Sequence, residues 1–399
     1  MNFDARDFET FRLSAGDVLL NEGSGSADEV GKPAVWEGQV DNCCFQNTLL
    51  RFRSNGLDPW FAHAFFKHSA RAGHLVQHTQ GVNIFHIGKK NLEQLPLPVA
   101  PLAEQRRIVA KLDALFARLA RARAGLDRVT NLAEHARTQA RASAFVGGLT
   151  RADRKGADAD WPENKLGEVA DVVTGSTPPT ADKERYFGGD LPFFKPTDLD
   201  AGYFVRTPRE TLTAEGADRA RVVPVGTTLV TCIGATIGKA GLARVACAFN
   251  QQINAAVPKA EAVNPEWLYW AITSPQFRSK IIANSSATTM PIINKGRFQA
   301  LRLRIPPLWE QAIIVERLEA IHVRADRLEA EATRARALLD RLEAAILTKA
   351  FKGELVPQAP NDEPASRLLE RIRAQRAAAE PPNGKRGRRA PLSNDRLSF

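Results

Sequence analysis

Cysteine is scarce in this chain of 399 residues. Its four cysteines, Cys43, Cys44, Cys232 and Cys247, include no Cys-x-x-Cys pair, which argues against a disulfide framework and a zinc knuckle. No run of 18 apolar residues occurs, so no membrane-spanning helix is expected. The opening Met1-Asn2-Phe3-Asp4-Ala5-Arg6-Asp7 is acidic and lacks the apolar stretch of a secretion signal, and a cytoplasmic protein is expected. Nor is any segment a polybasic carpet. There are 55 Lys and Arg against 45 Asp and Glu, a net charge of +10. That surplus suits a polyanionic partner and says nothing of fold.

Catalytic signatures are missing too. Gly234-Ala235-Thr236-Ile237-Gly238-Lys239-Ala240 is similar to a phosphate-binding loop. However, Ile233 stands where the first glycine is required, and Ala240 replaces the hydroxyl residue that would meet magnesium. Asn264-Pro265-Glu266-Trp267 lacks the second proline of the Asn-Pro-Pro-aromatic signature, and Glu163-Asn164-Lys165 has no Pro-Asp partner upstream for a nuclease metal. His63, His68, His74, His78 and His86 have no histidine counterparts in the second half, so scattered histidines are expected rather than a metal set. The chain reads as non-catalytic, with no metal of its own.

What is present is a repeat. Pro101-Leu102-Ala103-Glu104-Gln105-Arg106-Arg107-Ile108-Val109 returns as Pro307-Leu308-Trp309-Glu310-Gln311-Ala312-Ile313-Ile314-Val315, 206 residues later. The same offset carries Ala144-Phe145…Gly147-Gly148-Leu149 onto Ala350-Phe351…Gly353-Glu354-Leu355. It also carries Asp58-Pro59 onto Asn264-Pro265, and Ile87-Gly88-Lys89 onto Ile293-Asn294-Lys295. One offset serving separated blocks identifies a tandem duplication.

Each copy ends in a heptad stripe. Ile108, Leu112, Leu115, Leu119, Ala122, Leu126, Val129, Ala133, Ala136 and Ala140 alternate spacings of four and three. Ile314, Leu318, Ile321, Ala325, Leu328, Ala332, Ala335, Leu339, Leu342 and Ile346 repeat the pattern. This predicts two long helices burying their stripes against each other as a coiled coil, with about 48 Å between the outermost positions. Leu112, Leu115, Leu119 and Leu126, with Leu318, Ile321, Leu328, Leu339 and Leu342, are the expected helix-pair or subunit interface. Glu104 and Glu310 complement the dipole of the first turn, and the glycines after each stripe stop the helix.

The linear division is therefore an α+β chain with two mixed α/β modules, 1–100 and 161–306. Helices over 101–150 and 307–357 follow them, with a polar linker at 151–160 and a basic, partly disordered tail at 358–399. Thr228–Ile233, Ile253–Val257, Leu301–Ile305 and Leu95–Val99 read as strands; Pro59–Arg71 and Glu266–Ile272 read as helices. A short helical piece is expected over Pro364–Ala379.

These features together resemble the specificity subunit of type I restriction-modification enzymes. The carriers are the two Pro-Leu-x-Glu-Gln openings with their heptads, Trp161-Pro162…Lys165-Leu166-Gly167-Glu168-Val169, Gly175-Ser176-Thr177-Pro178, Phe194-Lys195-Pro196-Thr197-Asp198-Leu199, Gly238-Lys239, Asn250-Gln251-Gln252 and Ala350-Phe351-Lys352-Gly353-Glu354-Leu355. The resemblance implies two target recognition domains separated by an antiparallel helix pair. It implies double-stranded DNA, two modification (methyltransferase) subunits and restriction/translocase subunits as partners. S-adenosylmethionine, ATP and Mg2+ are then expected on those partners and no cofactor on this chain. Two unlike modules predict an asymmetric bipartite target whose halves lie within about one helical turn, roughly 34 Å. The alternatives are a coiled-coil scaffold for proteins alone, or an inactive remnant of such a subunit. The remnant arises because Trp161 maps to position −45, so the first copy is expected to lack its opening, through truncation or a misassigned start.

Comparing the copies sorts candidate DNA contacts, since modules reading different sequences should share phosphate contacts and differ in base contacts. Lys32 and Lys239, and Lys89 and Lys295, are shared cations suited to phosphate. Asn250-Gln251-Gln252 invites adenine readout, but Gln46-Asn47 holds the similar place in the first copy, and a turn role is expected. Base-reading candidates are Gln77, His78, Gln80 and Asn83 in one divergent loop and Asn284, Ser285, Thr288 and Thr289 in the other, with Lys195 and Thr197 beside a strand.

Overall fold

The structure is a computed structural model that describes residues 4–54, 56–75, 85–154, 161–286 and 290–379. Two helices dominate it, Leu102–Ala144 with 43 residues and Leu308–Phe351 with 44, each about 65 Å long at 1.5 Å per residue. They stop alike. Gly147 and Gly353 take φ of 79° and 74°, where a side chain would be strained. Beyond them the Gly148 amide donates to the Ser143 carbonyl and the Glu354 amide to that of Lys349, both at 2.9 Å, closing orphan carbonyls of the last turn. All these positions are related by 206. Among the described residues no helix is long and apolar enough to cross a membrane.

The chain forms two compact units, Met1–Leu126 with Arg334–Phe399, and Asp127–Thr333. These cut across the linear order, because each unit takes one module together with a stretch of both long helices. In the first unit, Val18–Asn21 lies between Pro33–Val35 and Leu49–Phe52 in an antiparallel sheet, and the helix Pro59–Arg71 covers it. Asp58 caps that helix by accepting the amides of Trp60 and Phe61, as an N-cap carboxylate should. Ile108, Leu112 and Leu119 of the first long helix share a core with Ile346, Leu347 and Ala350 of the second and with Phe61 and Ala64. Phe351 sits 5.4 Å, ring to ring, from both Phe61 and Phe65. The helix stretches run antiparallel: Arg123 meets Asp340 at 2.7 Å and Glu343 at 2.6 Å, whereas Arg107, earlier in its helix, meets Asp362 beyond the end of the other. The piece Ala365–Ala379 is helical and buries Leu368.

Glu343 also takes Lys67 at 2.8 Å and Arg71 at 3.1 Å. Burial pushes its carboxyl up, but hydrogen bonds from Lys67 and Arg123 and the charges of Lys67 and Arg71 outweigh that and hold it down to about 2. A carboxylate depressed in the folded state stabilises it above the ordinary value of 4.5, and that contribution is lost as pH falls from there towards 2. Glu343→Gln should therefore flatten the acid-side fall of the first unit's melting temperature. Circular dichroism melts between pH 5 and pH 2 check this, and an unchanged pH profile would count against the cluster.

In the second unit a five-stranded sheet runs Ala170–Thr174, Ile253–Pro258, Thr228–Thr231, Ala240–Ala243, Phe204–Val205, beside a four-stranded sheet built on Phe187–Phe194. The helix Pro265–Thr273 buries Trp267, Leu268 and Trp270 in a core that also takes Ile314, Leu318, Ala140 and Ala144. Arg137 bridges the helix stretches to Glu329 at 2.8 Å and Asp326 at 2.5 Å.

Three expectations are corrected. Leu328 and Leu342 are 41% and 49% exposed, and Ala122 and Ala136 are exposed too, so the ten-position stripes do not lie wholly in the core. An α-helix drifts about 20° per heptad against a strict 3.5-residue repeat, and the buried face moves onto neighbouring positions such as Leu347. Leu95–Val99 is not a strand. Its counterpart Arg302–Arg304 pairs with Glu163–Lys165, whereas Pro96 and Pro98 remove two backbone donors. Of the 151–160 linker, 155–160 lies outside the described residues, but Asp153 and Arg154 are fixed, to Arg317 at 2.6 Å and to Glu310 at 3.1 Å.

Candidate nucleic-acid interface

The repeated Glu-Gln pair is a clamp at the base of each module. Gln105 accepts the Asp58 amide at 2.9 Å and donates to the Ala100 carbonyl at 2.7 Å. Gln311 accepts the Asn264 amide at 2.8 Å and donates to the Pro306 carbonyl at 2.8 Å. Glu310 does more than complement a dipole. It is buried and accepts from Thr150 at 2.5 Å and from the Trp161 indole at 3.0 Å. Glu104 is buried as well.

Several loops leave the far end of the five-stranded sheet together. Register places Asn254 opposite Thr174, Thr231 opposite Ile253 and Val230 opposite Ala240, so the segments after Thr174, before Ile253 and after Thr231 leave from one end. Asn264 and Gln311 serve the other end. Gly175 has to be glycine at this rim, since a Cβ would fall 2.2 Å from the Asn250 carbonyl oxygen. The turn after Thr231 is built on Gly234 and Gly238, with φ of 101° and 81°, and is stitched to a later loop. Gly234 donates to the Pro291 carbonyl at 3.0 Å, Ile293 to that of Cys232 at 2.9 Å, and Ser286 to that of Ile292 at 2.9 Å. The first module repeats the stitch, Ile87 donating to the Glu22 carbonyl at 2.9 Å.

The candidates of the second module gather on this rim. Lys239 closes the turn and pairs with Asp200 of the 3-10 turn Pro196–Ala201, which also carries exposed Thr197. Lys195 donates to Glu210 at 2.7 Å. Asn284 and Ser285 begin the stitched loop and hydrogen-bond back to the Lys280 and Ile282 carbonyls. Lys295 stands two residues past Ile293, exposed, with no ion-pair partner among the described residues. In the first module, Lys32 pairs with Glu29 and Lys89 with Glu93 at 3.8 Å. Gln77, His78, Gln80, Asn83, Thr288 and Thr289 lie outside the described residues. Asn250 and Gln252 hydrogen-bond each other in the turn, and Gln251 accepts from Thr177 at 2.5 Å. Arg278 escaped the sequence reading. Its exposed side chain runs under Gly238, whose Cβ would lie 3.2 Å from Arg278 Cγ. In the first module Leu75 lies under Gly31, but at the offset of 206 Arg278 corresponds to Ala72 and Leu75 to Ile281, so the repeat carries no signal for Arg278.

Two modules with glycine-built loop rims on a shared helical frame define a recognition protein. The chain belongs to the family of the type I restriction modification DNA specificity domain, whose model matches residues 6–126 and 158–335. It is similar to the type I restriction enzyme EcoBI specificity subunit of Escherichia coli, 28% identical over 348 residues, covering 79% of this chain and 72% of that one. It is also similar to the EcoKI specificity subunit of Escherichia coli strain K12, 26% identical over 93% of this chain and 83% of that one. Among solved structures, a chain of a type I restriction-modification system superposes with a TM-score of 0.70 at 26% identity, covering 86% and 83%. The HsdS subunit of Thermoanaerobacter tengcongensis does so with 0.58 at 26%, covering 86% and 82%. The chain is thus a specificity subunit that recognises DNA sequence within such a system.

Proposed function

We propose that each module reads one half of an asymmetric bipartite duplex target through its loop rim, without catalysing any step itself. The observation that carries this is the convergence of Gly175, Gly234–Lys239, Asn284–Ser286 and Pro291–Ile293 at one sheet end, repeated in the first module through Ile87 and Glu22. Lys239, Lys295 and Arg278 supply positive charge for phosphates. The bases are read by the divergent loops, 77–83 and 284–289, with Lys195 and Thr197 beside them. The long helices dock two methyltransferase subunits, through which restriction/translocase subunits join. S-adenosylmethionine, ATP and Mg2+ are held by those partners.

Lys239→Ala with Lys295→Ala should weaken binding to all duplexes alike. Each lost phosphate contact should reduce the slope of log affinity against log salt by about 0.9. Fluorescence anisotropy on the complex reconstituted with methyltransferase subunits, over a salt series, measures both. A loss confined to one sequence would make these lysines base readers. Footprinting of the same complex tests the reading itself: a scaffold indifferent to DNA gives no sequence-dependent protection.

A further inference from the structure

The duplication makes the two long helices equivalent, and two stations on them carry opposite charge. Position 123 of the first helix corresponds to 329 of the second, and 137 to 343, at the offset of 206. The first helix has arginine at both stations, Arg123 and Arg137; the second has glutamate at both, Glu329 and Glu343. The stations face each other in crossed fashion, once within each unit. Arg123 Nη2 donates to Glu343 at 2.6 Å, and Arg137 donates through both Nη atoms to the two oxygens of Glu329 at 2.8 Å each. Arg137 is 11% exposed and Glu343 5%, so neither pair is a loose surface contact. Asp340, which reaches Arg123, and Asp326, which reaches Arg137, reinforce the polarity.

We propose that this exchange of charge is an address restricting the seam to one partner: the first helix accepts only the second, and neither accepts its own kind from another copy of the chain. In an antiparallel pair of two first helices at this register, Arg123 of each copy would face Arg137 of the other. In a pair of two second helices, Glu329 would face Glu343. The apolar positions Ile108 and Leu112 cannot make that distinction, because they recur as Ile314 and Leu318, and where the stripes differ, as at Leu119 and Ala325 or Ala140 and Ile346, they differ in volume and not in charge. Opposed like charges at a helix seam are a recognised means of choosing partners. The same duplication that makes the helices interchangeable makes such a marker necessary.

The decisive variant exchanges a single station in the full-length chain: Arg137→Glu with Glu329→Arg, plus Asp326→Asn to spare the new carboxylate a like charge. The pair within the chain is kept in reversed form, so thermal stability should stay near that of the parent. Self-pairing becomes attractive, with Arg123 facing the substituted 137 of a second copy. Analytical ultracentrifugation over a concentration series should show the dimer fraction rising at least about fivefold over the parent. A folded variant that stays as monomeric as the parent overturns the address. Should this variant not fold, the single variants R137E and E329R decide. Each carries a like-charge clash alone, and a mixture restores both pairs only by exchange between chains. A 1:1 heterodimer on mixing supports the proposal, and its absence overturns it. An ion pair that merely stabilised the seam would move melting temperatures and leave association untouched.

Discussion

Leu318→Asp should abolish the cooperative thermal transition of the second unit, while Leu328→Asp should leave it nearly intact. Leu318 is fully buried, whereas Leu328, ten residues later on the same predicted stripe, is 41% exposed. Aspartate at 318 forfeits the burial of the leucine and sets a carboxylate in an apolar core, at a cost on the order of 5 kcal/mol or more. That is comparable to the whole stability of an ordinary domain. At 328 the new side chain stays in water, and the cost is that of weaker helix propensity, below about 1 kcal/mol. Leu112→Asp should do to the first unit what Leu318→Asp does to the second, since Leu112 is 2% exposed. Differential scanning calorimetry separates the outcomes. Equal losses at 318 and 328 would restore the strict heptad seam.

Gln311→Leu should cost about 3–5 kcal/mol, and Gln105→Leu about 2–4 kcal/mol, despite a near match in volume and added apolar surface. Both glutamines are fully buried. Removing the Gln311 amide strands the Asn264 N–H and the Pro306 carbonyl, and also the Ala262 carbonyl at 3.3 Å. Removing that of Gln105 strands the Asp58 N–H and the Ala100 carbonyl. Each stranded buried group carries about 1–3 kcal/mol. Denaturant unfolding measures the loss, which should be larger for the second unit. Wild-type stability in either variant would reduce the clamp to a coincidence of packing.

The clamp shows why so much of this architecture could be read from the amino acids. A duplicated chain reports its own invariants: what recurs at 206 serves both modules alike. Gln105 and Gln311, Gly147 and Gly353, and Asp58 and Asn264 all recur, and each makes the same hydrogen bond or backbone turn in its own unit. Periodicity does not give the azimuth of a long helix, so it sets Leu328 and Leu342 in the seam although both are exposed. Nor does alternation show that Leu95–Val99 stays out of a sheet, because it is blind to the backbone donors that Pro96 and Pro98 remove. The rim was legible as lysines and divergent loops. Arg278 was not, because it precedes its loop and matters only through Gly238, which is distant in sequence.

The way the units interleave along the chain has a consequence for synthesis. The first module leaves the ribosome early, yet its core is finished by Ile346, Leu347 and Phe351, about 225 residues after Leu126. At 5–20 residues per second that is a wait of about 11–45 s, during which Phe61 and Phe65 lack their cover. The second unit, by contrast, is drawn from one unbroken stretch of chain and is complete once Thr333 has emerged. The module made earlier is thus the one finished later, and it stays the more exposed to chaperones and proteases while the chain is being made.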